Sequence, residues 1–352
     1  MKRRDFLKLG TAGAVSTIAG SVGLLSWTPR AEAATITVSL NAVKGSVAMI
    51  DGTSAWVMGF SENSTVSLPG PTVLCQEGDT VTINLHNSLG TSVALRIGRT
   101  STRMVVTAGG NGTLSFTAPA AGTYLYYDDQ NNGVNRVVGL AGTLVVMPSS
   151  IKTQSFANGP QFVRQYKWVF GTIDPVWGSQ LKANGDAYVA KLSPDSYMPQ
   201  YFLINGQSFE ATSQPNTELW GGVNEAALVR ILNAGGMIHS PHFHGNHINL
   251  ISVNGTNYAS DWLVKDIVPL LPLDVKDVIY PFHPPGDAYP PIGSALAISP
   301  LNQFPQRYPM HCHSEMSQTA GGGQYPNGLH CAINIGTPPP SESDLTLAVA
   351  AL

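Results

Sequence analysis

Short runs of apolar and β-branched residues recur along most of the chain. Residues 35–40 (TITVSL), 80–85 (TVTINL) and 142–146 (GTLVV) are examples that are rich in β-branched side chains. Gly, Pro, Asn and Asp interrupt the chain about every ten residues, a spacing typical of β-sandwiches. No helical periodicity of any length stands out, so the pattern predicts an all-β protein.

Two blocks of this pattern follow one another. The first ends near residues 148–150, and the second runs from about residue 161 to residue 335. Similar strand-opening segments occur at residues 69–81 of the first block and 227–234 of the second. We therefore predict two tandem sandwiches, at residues 34–150 and 151–336, followed by a Pro-rich tail at residues 337–352.

The first 33 residues have the features of an export signal. Basic residues 2–4 (KRR) precede an uncharged stretch rich in Gly, Ala and Leu, and residues 31–33 (AEA) form an A-x-A cleavage site. The paired arginines followed by Phe6, Leu7 and Lys8 resemble the twin-arginine type, which exports folded proteins. We expect a periplasmic or secreted protein. No later stretch reaches the roughly 18 apolar residues needed to span a bilayer.

Composition narrows the possible partners. The chain has 352 residues, of which 43% are hydrophobic and 12% charged, with a formal net charge of -3. It therefore lacks the basic surface that nucleic acids or anionic lipids require, and we expect neither as a partner. The three cysteines leave at least one outside any intrachain disulfide. Cys312 is the candidate to stay free, while Cys75 and Cys331 either pair or remain two buried thiols.

Most of the histidines lie in two clusters of the second block. Alternate side chains of a strand share a face, so His311 and His313 point one way and Cys312 points the other. The same parity separates His239 from the pair His242 and His244. Two half-sites follow, namely a thiolate half-site with Cys312 and His239, and an imidazole half-site with the other four histidines.

The two half-sites have the chemistry of copper ligands. A cysteine thiolate with imidazoles is the ligand mixture of electron-transfer copper, which also takes a weak axial methionine or similar group. A group of imidazoles suits copper or zinc, because histidine is neutral and ready to bind metal near pH 7. We predict copper as the cofactor.

These motifs resemble the multicopper oxidase family, which is built of cupredoxin domains. Residues 69–72 (PGPT), 77–79 (EGD) and 122–124 (GTY) match the family's first domain, while 204–206 (ING), 239–245 (HSPHFHG) and 311–313 (HCH) match its last. The resemblance covers nearly all of the chain after residue 33 and implies Greek-key cupredoxin sandwiches. In this family, electrons from a reducing substrate enter at a type 1 copper and pass through the Cys-His segment to a trinuclear oxygen-reducing cluster.

The resemblance also implies roles for individual residues. His239 and Cys312 would hold type 1 copper, while His242, His244, His311 and His313 would supply half of the eight cluster imidazoles. The other half should lie in the first block, where the family's histidine positions hold Ala94, Arg96, Tyr127 and Asp129. Alanine cannot bind a metal and arginine stays protonated, so the trinuclear site is incomplete.

The type 1 site is altered as well. The family expects a histidine five residues beyond the cysteine, where this chain has Ser317, and an axial Met or Leu soon after it. Met316 or His330 could supply the missing ligand. Without either of them, Cys312 could be an inert buried thiol.

These features favour an exported copper oxidoreductase that acts on a small-molecule or metal-ion electron donor. Two alternatives stay open: a periplasmic copper-binding or electron-transfer protein without oxidase activity, and a metal-free interaction protein that kept the fold. An oligomer is possible in each case. The reducing substrate cannot be deduced from the sequence.

Overall fold

A computed structural model describes residues 18–19, 24–25, 32–149, 153–209, 216–284 and 304–337. The predicted export signal lies outside these ranges except for two dipeptides and residues 32–33, and the predicted tail lies outside them after residue 337. The strands are β1 (Ile18–Ala19), β2 (Leu24–Leu25), β3 (Thr35–Ala48), β4 (Ser54–Ser61), β5 (Thr72–Gln76), β6 (Thr80–Asn87), β7 (Val93–Ile97), β8 (Arg103–Val106), β9 (Asn111–Thr117), β10 (Gly122–Tyr127), β11 (Ala141–Met147), β12 (Arg164–Ile173), β13 (Tyr201–Ile204), β14 (Leu219–Gly221), β15 (Ala227–Asn233), β16 (Pro241–Phe243), β17 (Ile248–Val253), β18 (Thr256–Asn257), β19 (Leu263–Lys265), β20 (Val275–Tyr280), β21 (Gln306–Cys312) and β22 (His330–Ile335).

Helices in the described ranges are short. They are α1 (Val134–Val137), α2 (Pro175–Asn184) and the 3-10 turns Asn131–Gly133, Asp186–Lys191, Pro194–Ser196 and Glu315–Gln318. The sequence analysis missed α2, although its start carries a clear signal. Asp174 caps it by accepting N–H bonds from Val176 and Trp177, and Pro175 occupies its first turn. None of the helices in the described ranges is both long and apolar enough to cross a bilayer.

The strands form two β-sandwiches, and the all-β prediction is confirmed. In the first sandwich, a sheet with strand order β1-β5-β11-β10-β7-β8 faces a sheet with order β4-β3-β6-β9. In the second, a sheet built on the order β13-β12-β15-β20-β17-β18 faces the sheet β14-β22-β21-β16. The strand β6 illustrates the sequence pattern, because Val81, Ile83 and Leu85 are buried in the first core while the residues between them are more exposed.

Two strands at the centre of the molecule are buried on both faces. All residues of β11 and of β15 are buried, because one face of each packs in its own sandwich and the other packs against the neighbouring sandwich. Leu74, Val145 and Met147 of the first sandwich meet Leu228 and Ile279 of the second in this contact. Near-continuous hydrophobic runs mark such doubly buried strands.

A buried polar network crosses the same contact. The Arg230 guanidinium in β15 donates to the Thr123 hydroxyl of β10 at 2.7 Å and lies 3.4 Å from the Asp277 carboxylate of β20. Thr123 in turn donates to Asp277 at 2.7 Å, and Ser155 donates to the same carboxylate at 3.1 Å. Buried charges are tolerated when they are paired and hydrogen-bonded, so this network fixes how the two sandwiches meet.

The three cysteines are free and buried. Cys75 belongs to the first sandwich core, and Cys331 belongs to the second. Of the two alternatives left by the sequence, the structure shows two buried thiols.

Candidate metal centre

Three neighbouring strands of the second sandwich carry the centre. The edge strand β16 pairs with β21, with His242 opposite His311, and β21 pairs with β22, with His311 opposite His330. Residues opposite each other in an antiparallel pair extend from the same face. The face that carries these histidines, which we call the imidazole face, is the outer surface of the four-stranded sheet. Its inner surface holds Met310 and Cys312 in the core.

The imidazole face brings together the four histidines that the sequence assigned to one half-site. The Nε2 atoms of His244 and His311 lie 3.1 Å apart, and Nδ1 of His242 lies 2.9 Å from Nε2 of His313. Ring nitrogens of His242, His244 and His311 all lie within 4.8 Å of one another. Across the described ranges this is the one group of three or more His, Cys, Asp or Glu donors so close together.

An acidic side chain and a small cavity adjoin these rings. The Asp266 carboxylate is 3.7 Å from Nε2 of His242, and the backbone of Asp266 accepts the N–H of Phe243. A cavity of about 160 Å³ opens beside His242 and His244 and is also lined by Asp266 and the exposed His247. A small molecule can therefore reach the rings from solvent.

Three of these rings, those of His242, His244 and His311, are held in the neutral form that binds metal. Burial and the neighbouring imidazoles lower the pKa of His242 to about 4, against the opposing effect of Asp266. Burial and then the adjacent rings likewise lower the pKa of His244 and of His311. A cluster of neutral imidazoles loses no proton when a cation binds near pH 7.

The opposite face holds the thiolate half-site. Cys312 is fully buried, and its sulfur accepts N–H groups from Ser240 at 3.2 Å and from Ser314 at 3.4 Å. His239 is also fully buried, and its ring packs against Phe170 and Phe202. Neither ring nitrogen of His239 has a hydrogen-bond partner. Burial lowers the pKa of His239 to about 4.

The two residues proposed as the missing type 1 ligand, His330 and Met316, lie in different surroundings. His330 extends from the imidazole face, because it lies opposite His311, and its ring stacks on His311 at 6.1 Å. Met316 is 52% exposed and lines a surface groove together with Met198 and Phe202. Ser317 is buried, and its hydroxyl donates to the Ser314 carbonyl.

Ion pairs occupy the corresponding positions of the first sandwich. The Asp129 carboxylate accepts bonds from Nε of Arg103 at 2.9 and 3.0 Å and from Arg96 at 3.3 Å. Burial opposes the shift, but the two arginines lower the pKa of Asp129. Ala94 is fully buried, and Tyr127 is the strand partner of Arg96. A cation at this cluster would meet two positively charged guanidinium groups and only one carboxylate.

Residues 41–150 match the family model for multicopper oxidases. The first sandwich is therefore similar to a multicopper oxidase domain. This domain is the one whose candidate ligand positions hold Ala94, Arg96, Tyr127 and Asp129. No curated protein sequence matches the chain.

Solved structures resemble both sandwiches of this multicopper oxidase-like chain. A blue copper oxidase from Nitrosomonas europaea shares 18% identity over 85% of each chain, with a TM-score of 0.66. A multicopper oxidase called mgLAC shares 22% identity over 88% of this chain and 89% of that one, also with a TM-score of 0.66. A copper nitrite reductase from Nitrosomonas europaea shares 18% identity over 88% of this chain and 98% of that one, with a TM-score of 0.60. These likenesses establish the cupredoxin-like fold.

Copper is the metal that the family and these structures share, and the residues of the imidazole face fit it. Three neutral imidazole nitrogens within 4.8 Å can share one ion of the imidazole-binding metals, which include copper. The Cys312 pocket fits less well. Across the described ranges, no group of three His, Cys, Asp or Glu donors gathers around its sulfur.

Proposed function

We propose that this protein is an exported, copper-dependent oxidoreductase that binds its metal on the imidazole face of the second sandwich. The observation that carries the proposal is the convergence of His242, His244 and His311 within 4.8 Å, with His313 beside them. The ion pairs of Arg96 and Arg103 with Asp129 support a site that does not use the first sandwich.

The side chains at the centre have distinct tasks in this proposal. The imidazoles of His242, His244, His311 and His313 hold copper, which supplies one-electron chemistry when it is bound. Asp266 faces Nε2 of His242, so a proton on that nitrogen leaves Nδ1 free as a ligand. The N–H groups of Ser240 and Ser314 stabilise negative charge on the Cys312 sulfur. His311 and His313 are the chain neighbours of Cys312, so one peptide bond on each side links the cysteine residue to an imidazole ligand.

The electron donor is a small molecule or a metal ion. Two openings support this assignment: the cavity beside His242 and the groove lined by Met198 and Met316. The groove reaches the thiolate half-site through Phe202, whose ring contacts His239 edge-on at 6.3 Å. The residues that line the groove are uncharged, whereas the cavity carries the Asp266 carboxylate.

A second candidate function is copper binding or electron transfer without oxidase activity. The specific observation in its favour is that the family's first-sandwich histidine positions hold Ala94, Arg96, Tyr127 and Asp129, none of which is an imidazole. Four imidazoles are enough to bind copper tightly, because affinity among first-row divalent metals peaks at copper.

One preparation tests both functions. The protein is exported from copper-supplemented cells, and its copper content, visible absorption, electron paramagnetic resonance and turnover of a phenol or a metal-ion donor are measured together. We expect bound copper and copper-dependent turnover, both lost when His244 and His311 are replaced by alanine. The matched control replaces His86 and His283, two exposed histidines outside the centre, and should retain both. Copper without turnover supports the second function, and absence of copper contradicts both.

A further inference from the structure

A cavity lies between the two sandwiches, apart from the imidazole face and the thiolate half-site. Val169, Gly171 and Ile173 line it from β12, because alternate residues of a strand share a face. Phe170 extends to the other face of β12 and is buried in the second core. Residues 136–139 of the first sandwich also line the cavity, whose volume is about 50 Å³. Because one water needs roughly 10 to 15 Å³, the cavity has room for a ligand the size of about three to five waters.

The guanidinium of Arg136 lines this cavity without a counterion. Arg136 is only 7% exposed, and its bonds from one terminal nitrogen go to the carbonyls of Ala234 and Gly235, both at 2.6 Å. Its Nε atom is buried and has no hydrogen-bond partner, and no carboxylate of the described ranges pairs with it. Burial lowers the pKa of Arg136, but a guanidinium stays protonated in proteins. A buried charge is costly unless it is paired, so this side chain favours an anion in the cavity.

The Asp174 carboxylate lines the same cavity but is engaged by backbone donors. It accepts the N–H groups of Val176 at 2.8 Å and Trp177 at 3.2 Å, at the start of α2, and that of Met198 at 2.8 Å. Three such bonds stabilise its negative charge, whereas the charge of Arg136 has only neutral carbonyl partners. The unmatched charge at the cavity is therefore positive.

Gly171 keeps part of the cavity open. A Cβ atom added to Gly171 would meet no other atom within 4 Å, although the residue lies inside the strand β12. A glycine within a strand gives up side-chain packing, and it often marks a place where a ligand approaches closely. Here the space beside the glycine is part of the cavity.

The other walls favour an anion with an apolar body. Leu68, Leu203 and Trp177 are among the apolar residues that line the cavity. A carboxylate matches the planar guanidinium group of arginine. The Nε1 atom of Trp56, which also lines the cavity, is buried without a partner and gives one further donor. Phosphate would bring more charge and more acceptor oxygens than these donors satisfy.

We propose that the cavity between the sandwiches binds a short aliphatic carboxylate, with its carboxylate on Arg136 and its alkyl chain beside Gly171. Because residues of both sandwiches line the cavity, the ligand binds where the sandwiches are in contact, and it stabilises that contact. The site uses no residue of the copper centre, so it does not depend on the proposed function.

Titration of the purified, copper-supplemented protein with three sodium salts or neutral compounds tests the proposal. Trp56 and Trp177 line the cavity, so tryptophan fluorescence reports its occupancy, and calorimetry gives the stoichiometry. We expect one propionate per chain and a raised melting temperature. Propionamide has the same shape but no charge, so it should bind more than about tenfold more weakly. Phosphate should bind more weakly than propionate as well.

Two results of these titrations would overturn the proposal. Propionate that gives neither a saturable fluorescence change nor heat would remove the site. Equal binding of propionate and propionamide, or a preference for phosphate, would show that the cavity does not select a carboxylate with an apolar body.

The role of Arg136 is tested by replacement with glutamine. Arg136→Gln should weaken propionate binding by more than about tenfold, because the charge-assisted hydrogen bond is lost. The matched control is Arg96→Gln, since Arg96 belongs to the same sandwich but pairs with Asp129. The control should bind propionate like the unchanged protein. Equal affinity in Arg136→Gln and the unchanged protein would contradict the assignment.

A cavity-filling variant covers the case in which Arg136→Gln does not fold. Gly171→Val adds a β-branched side chain, which suits a strand, to a position where the space is open. We expect the variant to fold and to keep its copper content, while propionate binding falls by more than about tenfold because the alkyl position is occupied. Unchanged propionate affinity in a folded Gly171→Val protein would place the ligand elsewhere and refute the site.

Discussion

The buried ring of His239 makes the stability of the metal-free protein depend on pH. Burial lowers the pKa of His239 to about 4, from an ordinary value of 6.5. At 1.36 kcal/mol per pKa unit this shift corresponds to about 3 kcal/mol. Because the folded-state pKa lies below the unfolded one, the unfolded chain binds the extra proton between pH 6.5 and 4. The contribution of His239 to the free energy of unfolding therefore falls by about 3 kcal/mol across that window and no further below it.

Replacement of His239 by leucine isolates this contribution. Leucine does not titrate, so the metal-free variant should lose about 3 kcal/mol less than the unchanged protein between pH 6.5 and 4. At pH 7 the variant should also be more stable by about 1 to 3 kcal/mol, because both ring nitrogens of His239 are buried without partners. Such a gain would mean that the ring is kept for binding rather than for stability.

Urea unfolding in the presence of a strong chelator, followed by tryptophan fluorescence at several pH values, measures both quantities. The control is His86→Leu, which changes an exposed histidine of β6 in the other sandwich. Parallel pH profiles for His239→Leu and the unchanged protein would refute the reasoning. So would a loss of stability at pH 7, since it would show that the imidazole has a stabilising partner.

Three further predictions concern the thiolate, the orienting carboxylate and the interface. Cys312→Ser should abolish any thiolate absorption band in the visible spectrum yet leave copper on the imidazole face; loss of all copper would contradict the two-face geometry. Asp266→Asn should weaken copper binding by about 10- to 100-fold in a chelator competition, as other orienting groups of metal sites do, while Asp261→Asn, in an exposed loop nearby, should bind like the unchanged protein. Asp277→Asn should lower the free energy of unfolding by about 3 to 5 kcal/mol, because Arg230 is left as a buried charge without its counterion. A loss of less than 1 kcal/mol in denaturant unfolding would show that the interface network does not depend on this pair.

Much of the fold and of the site follows from local sequence pattern. The opposite orientations of Cys312 and its two histidine neighbours depend only on alternation within one strand, and alternation is a local property. The sequence also predicted that the first-sandwich site is incomplete, because Ala94 and Arg96 cannot serve as ligands in any position. Sequence pattern therefore identified the residue types and the faces of single strands.

The remaining features depend on how strands pair. The face of His330 is set by the register of β22 against β21, and the glycine-rich insertion between these strands hides that register in the sequence. Arg103 joins Asp129 only because β8 pairs with β7 beside β10, so its ion pair could not be predicted. The helix α2 is a different case, since Asp174 and Pro175 mark its start and were overlooked among the β-rich signals.

The edge strand β16 is only three residues long, and it contributes His242 to a centre that also includes His311 of β21, a strand far along the chain. A metal ion bound by residues of both β16 and β21 would stabilise the pairing of this edge strand. At a free concentration about 1,000 times the dissociation constant, binding to the folded state alone adds about 4 kcal/mol to its stability. Copper would therefore bind only after the second sandwich has folded. Loss of the copper would first weaken the pairing of β16 with β21.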